Sequence, residues 1–495
     1  MSDSPKRQPV SITIRAGDPG TEIFLMDSDL QRIAQAVGVL NTEQPAGIYQ
    51  VKLRAGTSIQ EDLVKVGKTP FEKSYPPLAI SSPVPLQDTY QTHEFHVDNA
   101  EAHSTVQHVD KGSGSFIYIF ARDWTSKTPG EGKNVGSETY DHPARGLKLI
   151  DKDGVELVDF EKQSAAELKW EPWAACNVKI DPGSYILRLH APDGSVWERT
   201  LVASPNWQTQ CFLLQRYFGE SKGPDIAGAT VVTRKQELGF SCADKDLRLI
   251  ELARLALINE RPIMSAEVED LLTRKFENPL LGIFGAHLLI ELEQSRGRPY
   301  EPGLLEHVIK KLRDLLQHPH PDVEALAWKA GLRDADYKFE MPPMIRRSWT
   351  LMTHASADKG DVIPPDSLNT RIYDRILVAE PWLVWAGEQQ ADDAGEQQAD
   401  DESQVLETLA LYLQAQESAQ EQPPARPGLK PLGSVSFDLA PKSVETNEVR
   451  DLTQQLSIPR SVIEQYLPRA REKAKDLQRH RDERSARKKA RSDSD

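Results

Sequence analysis

The chain has 495 residues, 39% apolar and 27% charged, so it is too long for one core and able to bury several. Its net charge of −15 argues against attraction of the whole surface to nucleic acid or anionic lipid. Three widely spaced cysteines, Cys176, Cys211 and Cys242, with no CxxC pair, argue against a zinc ribbon or disulfide framework. The start, MSDSPKRQPVSITI, has no apolar signal core, and no stretch reaches the roughly 18 apolar residues of a membrane span. A cytoplasmic setting without membrane contact is expected.

Residues 1–8 read as a disordered N-terminus. From residue 9 to about 217 the pattern is β-rich, with alternation in VSITIRAG and TEIFLMD. PAGIYQVKLRAG (Pro45–Gly56) returns downstream as DPGSYILRLHAPDG (Asp181–Gly194). Gly47 falls on Gly183, Tyr49 on Tyr185, Val51 on Leu187, Leu53 on Leu189 and Ala55 on Ala191. This is an internal repeat: a turn, a glycine, then a strand with Tyr and aliphatics on one face. Two β-sandwich modules are expected, at 9–75 and 111–217, with a polar connector at 76–110 and another connector at 218–243.

The first connector holds THEFHVDNAEAHSTVQHVD, with His93, His96, His103 and His108 beside Glu94, Asp98 and Glu101. A metal site is the sharp reading. The spacing fits no metal signature, and on a strand His93 and His96 would face opposite ways, so a polar loop and edge strand is expected. Trp170, Trp173, Trp197 and Trp207 cluster in the second module, either as an aromatic platform for a ligand or, as expected, as its core. Cys176 and Cys211 stand in apolar, strand-like settings that raise a thiol pKa.

Near Asp244 the period changes to helical in DLRLIELARLALINE, and SAEVEDLLTRKF follows with Ser265 as a cap. RKFENPLLGIFGAHLLIELEQ holds the longest nearly apolar run, Pro279–Ile290, about 18 Å as a helix and too short to cross a bilayer. Asn278 caps it and Pro279 opens it. His287, with no His or Cys three or four residues away, reads as a core histidine rather than a ligand. PGLLEHVIKKLRDLLQ, HPHPDVEALAWKAGL and PPMIRRSWTLMTHAS continue the helices, and SLNTRIYDRILVAEPWLVWAG is expected to extend them, giving an α-helical, array-like domain over 244–385.

AGEQQADD is repeated letter for letter at 386–393 and 394–401, opening an acidic, proline-rich linker over 386–436 that holds one more helical pattern, ESQVLETLALYLQAQES. Residues 437–495 form the last segment, C-terminal helices with a basic tail. LTQQLSIPRSVIEQYL (Leu452–Leu467) resembles a helix-turn-helix, with Thr453 and Ser457 departing from its usual Ala and Gly. Arg469–Arg491 holds 11 Lys/Arg against 4 Asp/Glu, a net +7, which leaves −22 for the remainder. The nucleic-acid candidates are Arg460, Arg469, Arg471, Lys473, Lys475, Arg479, Arg487, Lys488 and Lys489.

No P-loop, GxGxxG or GxSxG occurs, so no catalytic, cofactor or metal site is expected. The glycine–tyrosine strands resemble those of small β-sandwich modules of the carboxypeptidase-regulatory and PEGA kind, which implies spacing or binding rather than catalysis. The whole combination is similar to bacterial proteins that accompany caspase-like or CHAT peptidases in signalling and defence. That resemblance implies a regulatory adaptor with a protein partner, and carries no residues. Fold class is thus expected to be multidomain, β then α. A DNA-associated regulator using the C-terminal segment is the alternative.

Overall fold

The computed structural model describes residues 9–123, 141–169, 171–259, 275–298, 301–377, 379–388, 406–413 and 444–492. Residues 1–8, the pattern opened by Ser265, Trp170 and most of the 386–436 segment lie outside them. The described residues divide between two compact units. One is bounded by Met1–Asp334, Pro343–Ser348 and Leu377–Trp385; the other by Ala335–Pro342, Trp349–Ile376 and Ala386–Asp495. The chain is β-rich first and helical later.

The first unit begins with β1 (Pro9–Arg15), β2 (Glu22–Met26), β3 (Arg32–Val37), β4 (Val39–Pro45), β5 (Gly47–Ala55), β6 (Ser58–Val66) and β7 (Phe71–Ser74). They form two sheets, ordered β4-β1-β7 and β3-β2-β5-β6. Alternation places one face inward: Ile12 and Ile14, Tyr49, Val51 and Leu53, and Val64 and Val66 are buried. Burying each large side chain contributes about 1.5–3 kcal/mol.

Next come α1 (Glu94–Ser104), β8 (Val109–Asp110), β9 (Ser115–Arg122), β10 (Leu147–Ile150), β11 (Glu156–Asp159), α2 (Phe160–Gln163), β12 (Ala165–Glu167) and β13 (Trp173–Ile180). Then follow β14 (Gly183–His190), β15 (Val196–Ala203), β16 (Trp207–Phe218), β17 (Ser221–Pro224) and β18 (Thr230–Lys235). One sheet runs β11-β10-β14-β15 and continues into two late strands; the other runs β12-β13-β9-β16-β17, with β18 on β16 and β8 on β13.

The repeat is deeper than its dozen matched residues. β1 pairs antiparallel with β4 and parallel with β7; β9 pairs antiparallel with β13 and parallel with β16. The order β3-β2-β5-β6 returns as β11-β10-β14-β15. Tyr49 donates its hydroxyl to Pro45 O (2.5 Å), and Tyr185 donates to Asp181 O (2.8 Å), the same turn back over four residues. Each ring lies over the glycine two positions before it, where a Cβ would meet ring atoms at 3.5 and 3.8 Å.

Two expectations fail here. His93–Asp110 ends in the short edge strand β8, but the expected loop before it is a helix, α1, whose buried positions are His96, Ala100 and Ser104. That inward stripe holds no large apolar side chain, so apolar periodicity did not mark it. Polar bonds hold the helix instead: Tyr118 donates to Ala100 O (3.0 Å), while Asn177 and Gln208 donate to Ser104 O (2.9 and 2.7 Å). Residues 218–243, read as a connector, carry β17 and β18.

The helices are α3 (Lys245–Ile258), α4 (Pro279–Arg296), α5 (Leu304–Leu316), α6 (Pro321–Lys329) and α7 (Arg346–Asp358). Asn278 caps α4 by accepting from Leu280 N (3.0 Å) and Thr233 Oγ1 (2.7 Å), and it donates to Thr233 O (2.6 Å), so one side chain both starts the helix and ties it to β18. After the short α8 (Asn369–Ile372), the segment expected to continue the helices supplies β19 (Ile376–Leu377) and β20 (Val384–Ala386), which extend the six-stranded sheet beyond β15. Trp385 donates to Glu198 (2.7 Å), and the buried Arg199 guanidinium lies 4.7 Å from the Trp382 ring centre.

In the second unit, residues 406–413 are helical, followed by α10 (Val444–Leu456) and α11 (Arg460–Ser492), the 406–413 helix being α9 in sequence. Leu409, Leu413, Val449, Leu452, Val462, Ile463, Tyr466 and Leu467 share their core.

Candidate functional site

Three polar constellations and one exposed face could carry function. The first is the C-terminal helix pair. Ser457, in the turn, has φ 53°, the left-handed conformation that glycine adopts without strain. Val462, Ile463 and Tyr466 turn inward, as a helix-turn-helix requires. The start of α11, which would read base edges in such a motif, faces residues of α7 and the turn after it. The Arg460 amide donates to Ser356 Oγ (3.2 Å) and its guanidinium to Ala357 O (3.2 Å) and Glu464 (2.7 Å). Trp349 donates to Ser457 O (3.1 Å), His354 bonds Gln454 O (3.0 Å), and Arg450 pairs with Asp358 at 2.9 Å.

The remaining described cationic side chains are spaced along α11. Arg471 pairs with Glu448 and Arg479 with Asp476. Arg469 lies 6.0 Å from the Tyr466 ring centre. Lys475 is exposed and Lys473 half-buried on the same helix. Arg487, Lys488 and Lys489 are on α11, their side chains outside the described residues.

The second constellation is the histidine helix. His96 donates through Nε2 to Glu171 O (3.0 Å), its Nδ1 is buried without a partner, and burial lowers its pKa to about 4. His108 Nδ1 accepts from Asn177 N (3.0 Å), so His108 carries its proton on Nε2 and donates it to His103 Nδ1 (3.2 Å). Burial lowers the pKa of both His103 and His108. His103 also packs 4.9 Å from Trp173. These are neutral, neighbour-bonded rings, and among the described residues no group of three or more metal-ligating side chains could hold an ion.

The third constellation joins α4, α6 and α7. Asp322 accepts from Met344 N (2.9 Å), Ile345 N (3.0 Å) and the Ser348 hydroxyl. His287 Nε2 lies 2.9 Å from Ser348 Oγ; since that hydroxyl's one proton goes to Asp322, His287 donates. His320 Nδ1 caps α6 from Asp322 N (3.3 Å). Burial lowers His287 and His320 to about 3 and raises Asp322 to about 6. The order is His–Ser–Asp, with serine in the middle, whereas nucleophilic catalysis needs histidine between serine and acid. All three side chains are buried: Ser348 and Asp322 are 0% exposed and His287 2%. Sequence reading found His287 and its core setting but not its partners, which come from two other helices, α6 and α7. The thiols of Cys176 and Cys211 are likewise buried, and burial pushes them up to about 12 and about 11. Trp173 and Trp207 are buried, and Trp207 donates to Leu315 O (3.1 Å).

The exposed face is the outer side of β3-β2-β5-β6. Its polar side chains bond one another: Arg54 forks onto Glu22 (2.6 and 2.8 Å) and lies 4.9 Å from the Phe24 ring centre, and Lys52 and Gln50 both reach Glu61 (3.0 and 2.9 Å). Among them Ile48, Ile59 and Leu63 stand 62%, 54% and 72% exposed. The signal was in the sequence: these three occupy the outward, otherwise polar phase of β5 and β6. Among the described residues no helix is long and apolar enough to cross a membrane. No protein-family model matches the chain, and no curated protein matches it.

Proposed function

We propose that the chain is a non-catalytic interaction and regulatory adaptor that binds a protein partner through its β-rich part, with a caspase-like peptidase as the partner class to test first. Each β region then acts as a sandwich module, and α3 to α7 as an array-like support, in a reducing cytoplasm. The observation that carries this reading is the outer face of β3-β2-β5-β6: three large apolar side chains stand on a sheet face whose polar neighbours are already bonded to one another. The sealed His287–Ser348–Asp322 chain supports the non-catalytic half.

Cleavage by such a partner in the later part of the linker, after residue 413, would not by itself release the C-terminal piece. Leu409 and Leu413 share a core with Val449, Leu452 and Val462, so a cut within 414–443 leaves both fragments held together.

A second reading, nucleic-acid binding, is favoured by the continuity of α11 through the basic run. The test is partner capture by the full-length chain after nuclease treatment. It runs beside Ile48→Asp and beside a chain with Arg469, Lys473 and Lys475 all reversed to Glu. The adaptor reading expects a specific protein that is lost with Ile48→Asp and kept with the tail reversal. Nucleic acid recovered alone, and lost with the tail reversal, would put the second reading in its place. Peptide or ester turnover abolished by Ser348→Ala would remove the non-catalytic half.

A further inference from the structure

The edge strand β6 is regular and, among the described residues, open on one side. It is nine residues long, pairs with β5 without a bulge, and contains no proline. Among the described residues no strand pairs with its far edge. Natural sheets blunt such edges, because a row of unpaired N–H and C=O groups templates another strand. The repeat shows what a closed version looks like: β15, which follows the Gly–Tyr strand in the second copy as β6 does in the first, has β20 on its outer side.

The direction of the free hydrogen bonds follows from the hairpin. Ala55 and Ser58 face each other across the two-residue turn Gly56–Thr57, with φ +59° at Gly56. In such a hairpin the closing pair is hydrogen-bonded, so Ser58, Gln60, Asp62, Val64 and Val66 bond to β5. The N–H and C=O groups of Ile59, Glu61, Leu63 and Lys65 therefore point to the open edge, and their side chains lie on the exposed face.

We propose that a second copy of this chain closes the edge, β6 against β6 antiparallel, about a two-fold axis at Leu63. That register makes Leu63 a hydrogen-bonded pair with Leu63 of the second copy. It sets Glu61 opposite Lys65 and Lys65 opposite Glu61, so the strand is complementary to itself in apolar contact, charge and hydrogen-bond phase. Moving the axis one residue, to Asp62 or Val64, puts Leu63 opposite Glu61 or Lys65 and leaves the charges unmatched. Asp62, on the inner face, keeps its bonds to Lys73 (2.5 Å) and Tyr75 (2.8 Å) in either case. The inference rests on the reading of this face as a protein-binding surface, but it fails separately: a monomeric chain that still loses partner capture with Ile48→Asp keeps the surface and removes the dimer.

The test is the mass of the full-length chain by sedimentation, up to about 100 µM, since a small edge interface need not be tight. A dimer is expected. Glu61→Lys and Lys65→Glu each place like charges opposite at two symmetric points and should weaken it about tenfold or more. The double variant Glu61→Lys/Lys65→Glu restores the pairing and should return to within about threefold of the native value. Leu63→Cys should cross-link two copies under mild oxidation, since hydrogen-bonded antiparallel partners have Cα atoms about 5.5 Å apart, and Val64→Cys should not. A chain monomeric throughout, a dimer indifferent to the single reversals, or a double variant no tighter than the singles would overturn the proposal.

Discussion

The two β regions are built to one plan and finished differently. Both place a strand between an antiparallel and a parallel neighbour, and both close a glycine–tyrosine strand with a hydroxyl bonded four residues back. The second is then sealed: α1 is bonded down by Tyr118, Asn177 and Gln208, and β20 covers β15 with Trp385 on Glu198. Among the described residues the first carries no such strand on β6, and Ile48, Ile59 and Leu63 are exposed. Shared topology therefore does not mean a shared surface. The same scaffold buries its apolar side chains where β20 covers β15 and leaves them exposed beside β6, on the face proposed above to bind a partner.

The sharpest way to break this comparison is to strip the cover from the second region. Trp385→Ala removes a fully buried ring and the donor to Glu198, and should cost about 3–5 kcal/mol in urea denaturation. A cost under about 1 kcal/mol would mean that β20 is not a structural seal.

Acid should come next. His96, held near 4, and His287 and His320, held near 3, are all depressed below 6.5 by burial. Their stabilising effect is full above pH 6.5 and is lost as pH falls towards those values, by about 1.4 kcal/mol per pH unit for each ring. Asp322 runs the other way: raised to about 6, it favours the fold below pH 3.8 and loses that effect as pH rises through 6. Three rings outweigh one carboxyl, so the urea midpoint should drop between pH 6.5 and 4, and His287→Gln should flatten the drop.

Tyr49→Phe and Tyr185→Phe should each cost about 1 kcal/mol, equal within error if the two turns are equivalent. A thermal shift present in only one of them would break the correspondence. Smallest of all, Leu63→Lys should change stability by less than about 0.5 kcal/mol, because the side chain is 72% exposed, while still altering association.

The sequence made some of this legible. The five matched pairs from Gly47/Gly183 to Ala55/Ala191 located the repeat, and Asn278–Pro279 located the start of α4, because caps and turns depend on single residue types. EDLVKV and SVWERTLVA marked the strand after each copy, but the earlier strands left no matching residues: β1 is PVSITIR and β9 is SFIYIFAR, since a strand needs only the right phase of apolar residues, not particular ones. α1 was missed because its inward stripe is His96, Ala100 and Ser104, held by bonds from distant strands. β20 was missed because three residues, VWA, become a strand only when β15 is there to pair with. Of the candidate surfaces, Ile48, Ile59 and Leu63 each stood in the outward phase in the sequence, but only the register places them on one face.

The most direct test of the open-edge account is residue-resolved amide hydrogen exchange along β6 in dilute solution and at high concentration. The account predicts that the amides of Asp62 and Val64, bonded to β5, are protected throughout. Those of Glu61, Leu63 and Lys65 should exchange rapidly when dilute and become protected as concentration rises. Equal, concentration-independent protection of all five would show that the edge is already covered within one chain, and would contradict it.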